Sequence, residues 1–211
     1  MFCAFTTAVL TISLAMLGDS IVARMAPHQS GMKMPFSSAT NLGVDGLTVA
    51  QIAARLRLVP SGATHVVIEG GTNDLLWLRT DAGIVPGYRS MLNAIPSSKR
   101  VIVAGIPQID PALINPNFLS NLNNAKIAQV NAQLVTLCAS YSNCVPATEL
   151  MALDVRGKTT DGIHLNAAGY AAFVAALASA LAEKEDTRSG NAGGHAAHRA
   201  THFSASSRVG G

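Results

Sequence analysis

Ser20 closes the run Gly18-Asp19-Ser20, directly after the first apolar stretch, and Asp161-Gly162-Ile163-His164 stands near the end of the apolar part of the chain. A serine hydroxyl is a poor nucleophile until a base takes its proton. His164 is the candidate base. Of the six histidines, His195, His198 and His202 sit in a polar tail, His28 in a loop broken by Pro27 and Gly31, and His65 at the start of an apolar run. Asp161 precedes His164 by three positions. In a turn or a first helical turn such side chains face the same way. The carboxylate can then accept from Nδ1–H and leave Nε2 for the serine. The plainer alternative is an Asp-Gly turn carrying a surface histidine.

Three further groups could donate to an oxyanion. They are the backbone N–H of Ser20, the N–H of Gly46 and the side-chain amide of Asn73 in Gly71-Thr72-Asn73-Asp74. Gly46 has no Cβ to block close approach. Each has a modest reading too: a turn glycine before a helix, and a polar turn after a strand. Taken together and in this order, the residues supply a nucleophile, a base, its acid partner and oxyanion donors, which is the chemistry of acyl transfer from an ester.

The elements that must position these groups follow from pattern. Residues 11–17, 65–69, 100–104 and 143–146 read as short apolar strands. Residues 21–45 form a long connection broken by Pro27, Gly31 and Pro35, with a short helix at 21–25. Val49, Ile52, Ala53 and Leu56 recur at helical spacing after Thr48, an N-cap residue, and Pro60-Ser61-Gly62 stops that helix. Residues 88–95, 118–139 and 167–181 are the other helices, and 74–87 and 106–117 are loops. Alternation of short apolar strands with helices implies an α/β fold with a parallel sheet covered on both faces. In such sheets functional groups collect at the C-terminal strand ends. Ser20, Asn73 and the Asp161–His164 loop all fall on that edge.

At 211 residues the chain suits one domain over residues 9–183, with a tail at 184–211 whose Gly, Ser, His and Arg content predicts disorder. Charged residues are only 13% and the net charge is +3, partly from the tail, so no basic face and no nucleic-acid partner are expected. Residues 1–17 resemble a signal-peptide core but carry no Lys or Arg ahead of it. Cleavage after Ala15 would destroy the strand leading to Ser20. We read residues 1–8 as a leader remnant or a misplaced start, and the apolar run as too short for a stable membrane span. Cys138 and Cys144 are either a short-loop disulfide, which would favour a periplasmic or secreted location, or two buried thiols in a cytoplasmic protein. The tail histidines could take up a stray metal. Gly157-Lys158-Thr159 lacks the leading glycine of a phosphate loop. There is no Gly-x-Ser-x-Gly elbow.

The chain resembles the SGNH (GDSL-type) hydrolases. The resemblance rests on Met16-Leu17-Gly18-Asp19-Ser20-Ile21, Asn41-Leu42-Gly43-Val44-Asp45-Gly46-Leu47-Thr48, Gly71-Thr72-Asn73-Asp74 and Thr160-Asp161-Gly162-Ile163-His164-Leu165-Asn166, and runs from about residue 11 to 182. It implies a flavodoxin-like three-layer α/β/α sandwich with a five-stranded parallel sheet. It implies Ser20 as nucleophile, His164 as base and Asp161 as its partner. It places the oxyanion on Ser20, Gly46 and Asn73, with no metal or cofactor. Asp45 and Leu47 depart from the residues usual in the second block, which leaves Gly43 as a second candidate for the glycine donor. The expected substrate is a small-molecule ester with a short to medium acyl chain. Carbohydrate acetyl esters, lysophospholipids and thioesters are alternatives within the class, and a non-catalytic binding module on the same fold is the rival outside it. Met25, Met32, Met34, Phe36, Leu76, Trp77 and Ile114 either line an acyl pocket or cap the core.

Overall fold

The computed structural model describes residues 12–25 and 37–182. Its centre is a five-stranded sheet in the order β2-β1-β3-β4-β5, every pairing parallel. The strands are β1 (Ser13–Leu17), β2 (Ser38–Asn41), β3 (His65–Glu69), β4 (Arg100–Gly105) and β5 (Cys144–Pro146). The helices are α1 (Ser20–Ala23), α2 (Val49–Ala54), α3 (Ile84–Ala94), α4 (Asn124–Cys138), α5 (Thr148–Met151) and α6 (Ala167–Ala182).

Side-chain alternation along the strands builds two cores. Leu17, Val66, Ile68, Val101 and Val103 pack with Val49 and Ile52 of α2, Tyr88 and Met91 of α3, and Val130 and Leu134 of α4. Leu14, Met16, Val67, Ile102 and Ala104 pack on the opposite face with Val22 of α1, Leu150 of α5, and Phe173 and Leu177 of α6. Each central strand is therefore apolar on both sides, which is why these segments read as unbroken apolar runs. The three-layer α/β/α sandwich expected from the family resemblance is the fold observed.

The pattern reading missed β2. Ser-Ala-Thr-Asn is polar and mostly exposed, and it sits at the edge of the sheet. Its place is set by backbone pairing of Ser13–Met16 with Ser38–Asn41, which leaves no hydrophobic trace in sequence. The expected helix over 118–139 begins only at Asn124, because Asn123 Oδ1 accepts from Lys126 N at 2.9 Å and caps it. A 3-10 turn, Pro116–Phe118, precedes it. Helix α3 starts four residues earlier than expected, at Ile84, since Pro86 falls within the first turn, where a missing N–H does no harm. Part of the expected 74–87 loop is a π-helical turn, Asp74–Leu78, closed by Arg79 at φ 54°. The segment 48–58 divides into α2 and a 3-10 turn, Leu56–Leu58, and Thr48 is the N-cap, its N–H donating to Gln51 Oε1 at 2.9 Å.

Cys138 and Cys144 are disulfide-bonded, which joins the end of α4 to the start of β5. Closing so short a loop stabilises the fold by about 2 kcal/mol in the chain-entropy account. Reductant is expected to lower the melting temperature by about 4–8 °C. A Cys138→Ser/Cys144→Ser variant should melt at the reduced value and be indifferent to reductant. No helix among the described residues is long and apolar enough to cross a membrane. Residues 1–8, the tail and its histidines lie outside the described residues.

Candidate active site

Strands β1 and β3 are neighbours, and the chain leaves them in opposite directions across the sheet, to β2 and to β4. That divergence opens a crevice at their C-terminal ends. Ser20 enters it three residues after the end of β1, as the first residue of α1, and Asn73 follows β3. Asp19 N-caps α1, its Oδ1 accepting from Ile21 N at 3.0 Å. Ser20 is buried at 6% exposure.

His164 reaches the same place from a tight hairpin. Thr159 bridges Leu165 antiparallel, and Thr160 N donates to His164 O at 2.8 Å. Gly162 makes the bend at φ 92° and accepts on its carbonyl from Asp110 N at 2.8 Å, which docks the hairpin on the loop after β4. A Cβ on Gly162 would lie 2.7 Å from Asp110 O and 2.5 Å from Ile114 Cγ1. Gly162→Ala therefore combines left-handed strain with a backbone clash, and should cost about 1–3 kcal/mol of stability. It should also lower kcat, because His164 is two residues away. A thermal melt with single-turnover kinetics checks both.

His164 Nδ1 lies 2.6 Å from Asp161 Oδ2, and His164 Nε2 lies 2.9 Å from Ser20 Oγ, across 144 positions of sequence. Asp161 also accepts on Oδ1 from His164 N at 2.8 Å and from Ile163 N at 3.0 Å. Partial burial pushes the Asp161 carboxyl up, but the bonds from the His164 ring and from these two N–H groups outweigh it and hold the pKa below its ordinary value. An ionised Asp161 makes Nδ1 the protonated nitrogen, so Nε2 carries the lone pair that faces the serine.

The glycine loop is tied to the Asn73-Asp74 turn at two points. Asp74 Oδ2 accepts from Val49 N at 3.0 Å, and Asn73 Nδ2 donates to Leu47 O at 3.1 Å. Just ahead of both ties, Gly46 sits at φ 78°, and its N–H makes no hydrogen bond among the described residues. Gly43 differs: its N–H donates to Asn41 Oδ1 at 2.9 Å, and a Cβ there would strike Ala23 N. Gly43 is thus a close-packing position, and Gly46 is the one with a free donor. Asp45, the departure noted in this block, accepts from Arg24 Nε at 3.0 Å and pins the loop to the end of α1. Asn73 has two N–H groups, and both are engaged, one by Leu47 O and one by Asp19 Oδ2 at 3.1 Å. An oxyanion here would share or displace one of these contacts. Trp77 Nε1 donates to Asn73 Oδ1 at 3.1 Å and fixes which end of the amide faces the crevice.

The sequence profile of the GDSL-like Lipase/Acylhydrolase family matches residues 16–172, well over half of the chain. The chain belongs to this family. Solved structures with the same fold include a lipase/acylhydrolase from Enterococcus faecalis, with a TM-score of 0.62 at 20% identity over 80% of this chain and 94% of that one. A member of the lipolytic protein G-D-S-L family from Veillonella parvula has a TM-score of 0.61 at 19% identity over 82% and 98%. A catalytic mutant of an acetylxylan esterase from Geobacillus stearothermophilus has a TM-score of 0.59 at 14% identity over 82% and 95%. No curated protein sequence matches the chain.

All five residues singled out in sequence, Ser20, Gly46, Asn73, Asp161 and His164, lie at one edge of this GDSL-family sheet, on loops or in the first turn of a helix, and hydrogen bonds link Ser20, His164 and Asp161 directly. Glu69, Asp74 and the Trp77 indole N–H were not foreseen as part of the site. Glu69 looked like one more strand residue, although an acid at the end of an apolar strand was a signal available to be read. Of the proposed pocket residues, Met25 and Ile114 are core, at 0% and 7% exposure, and Leu76 is half-buried. Met32, Met34 and Phe36 lie outside the described residues. Trp77 does face solvent, and Leu78 and Leu113, on the loops after β3 and β4, are exposed with it. Among the described residues no cluster of His, Cys, Asp or Glu is placed to hold a metal ion.

Proposed function

We propose that this GDSL-family hydrolase is a serine esterase working through an acyl-enzyme, with Ser20, His164 and Asp161 as its triad. The observation that carries the reading is the unbroken hydrogen-bond path from Asp161 through the His164 ring to Ser20 Oγ. Ser20 Oγ attacks the ester carbonyl while His164 Nε2 takes its proton. The oxyanion is held by the N–H groups of Ser20 and Gly46 and by Asn73 Nδ2. His164 then protonates the leaving alcohol. Water, activated by the same nitrogen, releases the acid.

The rim favours esters with an apolar acyl or aryl part. Trp77 is 62% exposed, packs edge-on against Phe118 at 6.1 Å between ring centres, and is bonded to Asn73. An apolar group leaving the crevice on this side meets Trp77 and Phe118. Trp77→Phe keeps a ring but loses the N–H that holds Asn73, and should lower kcat by about two- to tenfold at every chain length. Trp77→Ala should in addition raise KM most for the longer acyl chains. Equal effects of the two variants on all esters would remove the rim from the account. The Cys138–Cys144 bond supports an oxidising compartment as the working location.

The test is hydrolysis of p-nitrophenyl esters from C2 to C12, with fluorophosphonate labelling mapped by peptide mass. Labelling at Ser20 and an optimum above C2 are expected. A sharp C2 optimum would turn the reading toward acetyl esters, the substrate type named for one structural relative. A folded protein that neither labels nor hydrolyses would make it a binding module.

A further inference from the structure

Beneath the crevice two acids are buried against each other. Asp19 and Glu69 are both at 0% exposure, and Asp19 N donates to Glu69 Oε2 at 3.2 Å. Their carboxyl groups lie within reach of each other. Two carboxylates cannot bond to each other without a proton between them. The Asp19 carboxyl also accepts from Ile21 N and from Asn73 Nδ2, as an anion does. Glu69 Oε1 has no hydrogen-bond partner, as suits the weak carbonyl oxygen of a neutral acid better than a carboxylate. The fold makes room for the pair. The β3–β4 register shifts between Ile68 and Glu69, and a Cβ on Gly18 would lie 2.7 Å from Glu69 Oε2.

We propose that Glu69 carries one proton at neutral pH and donates it to Asp19, and that Glu69 is thereby a positioning residue for Asn73 in the esterase reaction. This rests on the esterase reading above. Glu69 acts through Asp19: the neutral acid holds the Asp19 carboxylate in place, and that carboxylate fixes one N–H of Asn73. The proton also limits the charge under the oxyanion to one negative unit where two would oppose its formation. Burial pushes both carboxyls up, and the like charge of Asp19 pushes Glu69 further, well above its ordinary value. The other titratable groups around the pair are Asp74 on the π turn, Tyr88 on α3, Tyr170 on α6 and His164 on the hairpin. Burial raises both tyrosines, which stay neutral across the working range, and it is the largest influence on Asp74, also upward.

Glu69→Gln preserves a donor to Asp19 and an acceptor for Asp19 N–H but cannot ionise. It should keep kcat at pH 7 within about threefold, and the alkaline fall in kcat should move to higher pH. Glu69→Leu should lower kcat by roughly tenfold or more at little-changed KM. Infrared difference spectra at pH 7 should show a protonated buried carboxyl in wild type that Glu69→Gln removes. A raised folded pKa contributes stability that is complete below the unfolded carboxylate range, about 4.3, and is lost as pH rises through the folded value. Glu69→Gln should therefore gain on wild type in melting temperature as pH rises above that range. The absence of the carboxyl band, an unchanged alkaline limb in Glu69→Gln, or full activity in Glu69→Leu would each overturn the proposal. If wild type cleaves no ester yet shows the band, the esterase reading fails and the placement of the proton stands.

Discussion

Ser20→Ala is expected to remove ester hydrolysis almost completely, by about 10⁶-fold in kcat, and His164→Ala to a similar extent. The double variant is expected to be no worse than either single one, because the two side chains act as one unit. Without Oγ, His164 has no proton to accept. Without the imidazole, Oγ has no base within reach, since the 2.9 Å contact to Nε2 is the one Ser20 Oγ makes to a base among the described residues. What remains in each variant is binding and oxyanion stabilisation from Gly46 and Asn73. A double-mutant cycle on one p-nitrophenyl ester, with burst kinetics to count competent sites, decides this. Additive losses would mean that Ser20 and His164 serve separate steps, and would remove the acyl-enzyme mechanism. Because Ser20 is small, Ser20→Ala should melt close to wild type, which separates loss of chemistry from loss of fold.

Asp161→Asn is expected to lower kcat by about 10³–10⁴-fold, for a different reason. Asp161 uses both oxygens: Oδ1 accepts from the N–H groups of Ile163 and His164, and Oδ2 accepts from the ring. An asparagine keeps its carbonyl oxygen on the two backbone donors, because its amide nitrogen cannot accept from them. The nitrogen is then turned toward Nδ1 as a donor. That selects the tautomer with the proton on Nε2, which points a hydrogen at Ser20 where a lone pair is needed. The hairpin should survive, so KM should change little. Asp161→Ala, by contrast, frees both backbone donors and loosens the hairpin, which adds a fall in stability. If Asp161→Asn retained more than a tenth of wild-type kcat, orientation of the ring by the carboxylate would not be part of catalysis. Asp161 is about half exposed on its side chain, so water can enter beside the ring in the alanine variant and partly replace the lost acceptor.

The central strands and most helices were legible because burial on both faces writes itself into composition. Leu14, Met16, Val66, Ile68, Val101 and Val103 could hardly serve elsewhere. Strand β2 was not legible, since an exposed edge strand of Ser, Ala, Thr and Asn is held by backbone bonds that any side chain permits. The start of α4 was misplaced because Phe118 and Leu122 extend its apolar pattern toward the N-terminus, whereas the helix begins where Asn123 caps it and Asn124 Nδ2 and Oδ1 bond the Ile109 backbone at 2.9 Å.

For the site, the residue types and their order along the chain were sufficient to single out Ser20, Gly46, Asn73, Asp161 and His164, because each chemical role admits few side chains. The i, i+3 relation of Asp161 and His164 was also local enough to anticipate. The meeting of His164 with Ser20 depends on docking Gly162 against Asp110, a contact between loops that sequence periodicity does not register. The preference for Gly46 over Gly43 depends on which N–H finds a partner after folding. The same holds for the acids beneath the site. Asp19 and Glu69 stand 50 positions apart and look ordinary in the chain. Only packing β1 beside β3 in an apolar interior brings them together, withdraws them from water and makes a shared proton the cheapest way to keep both.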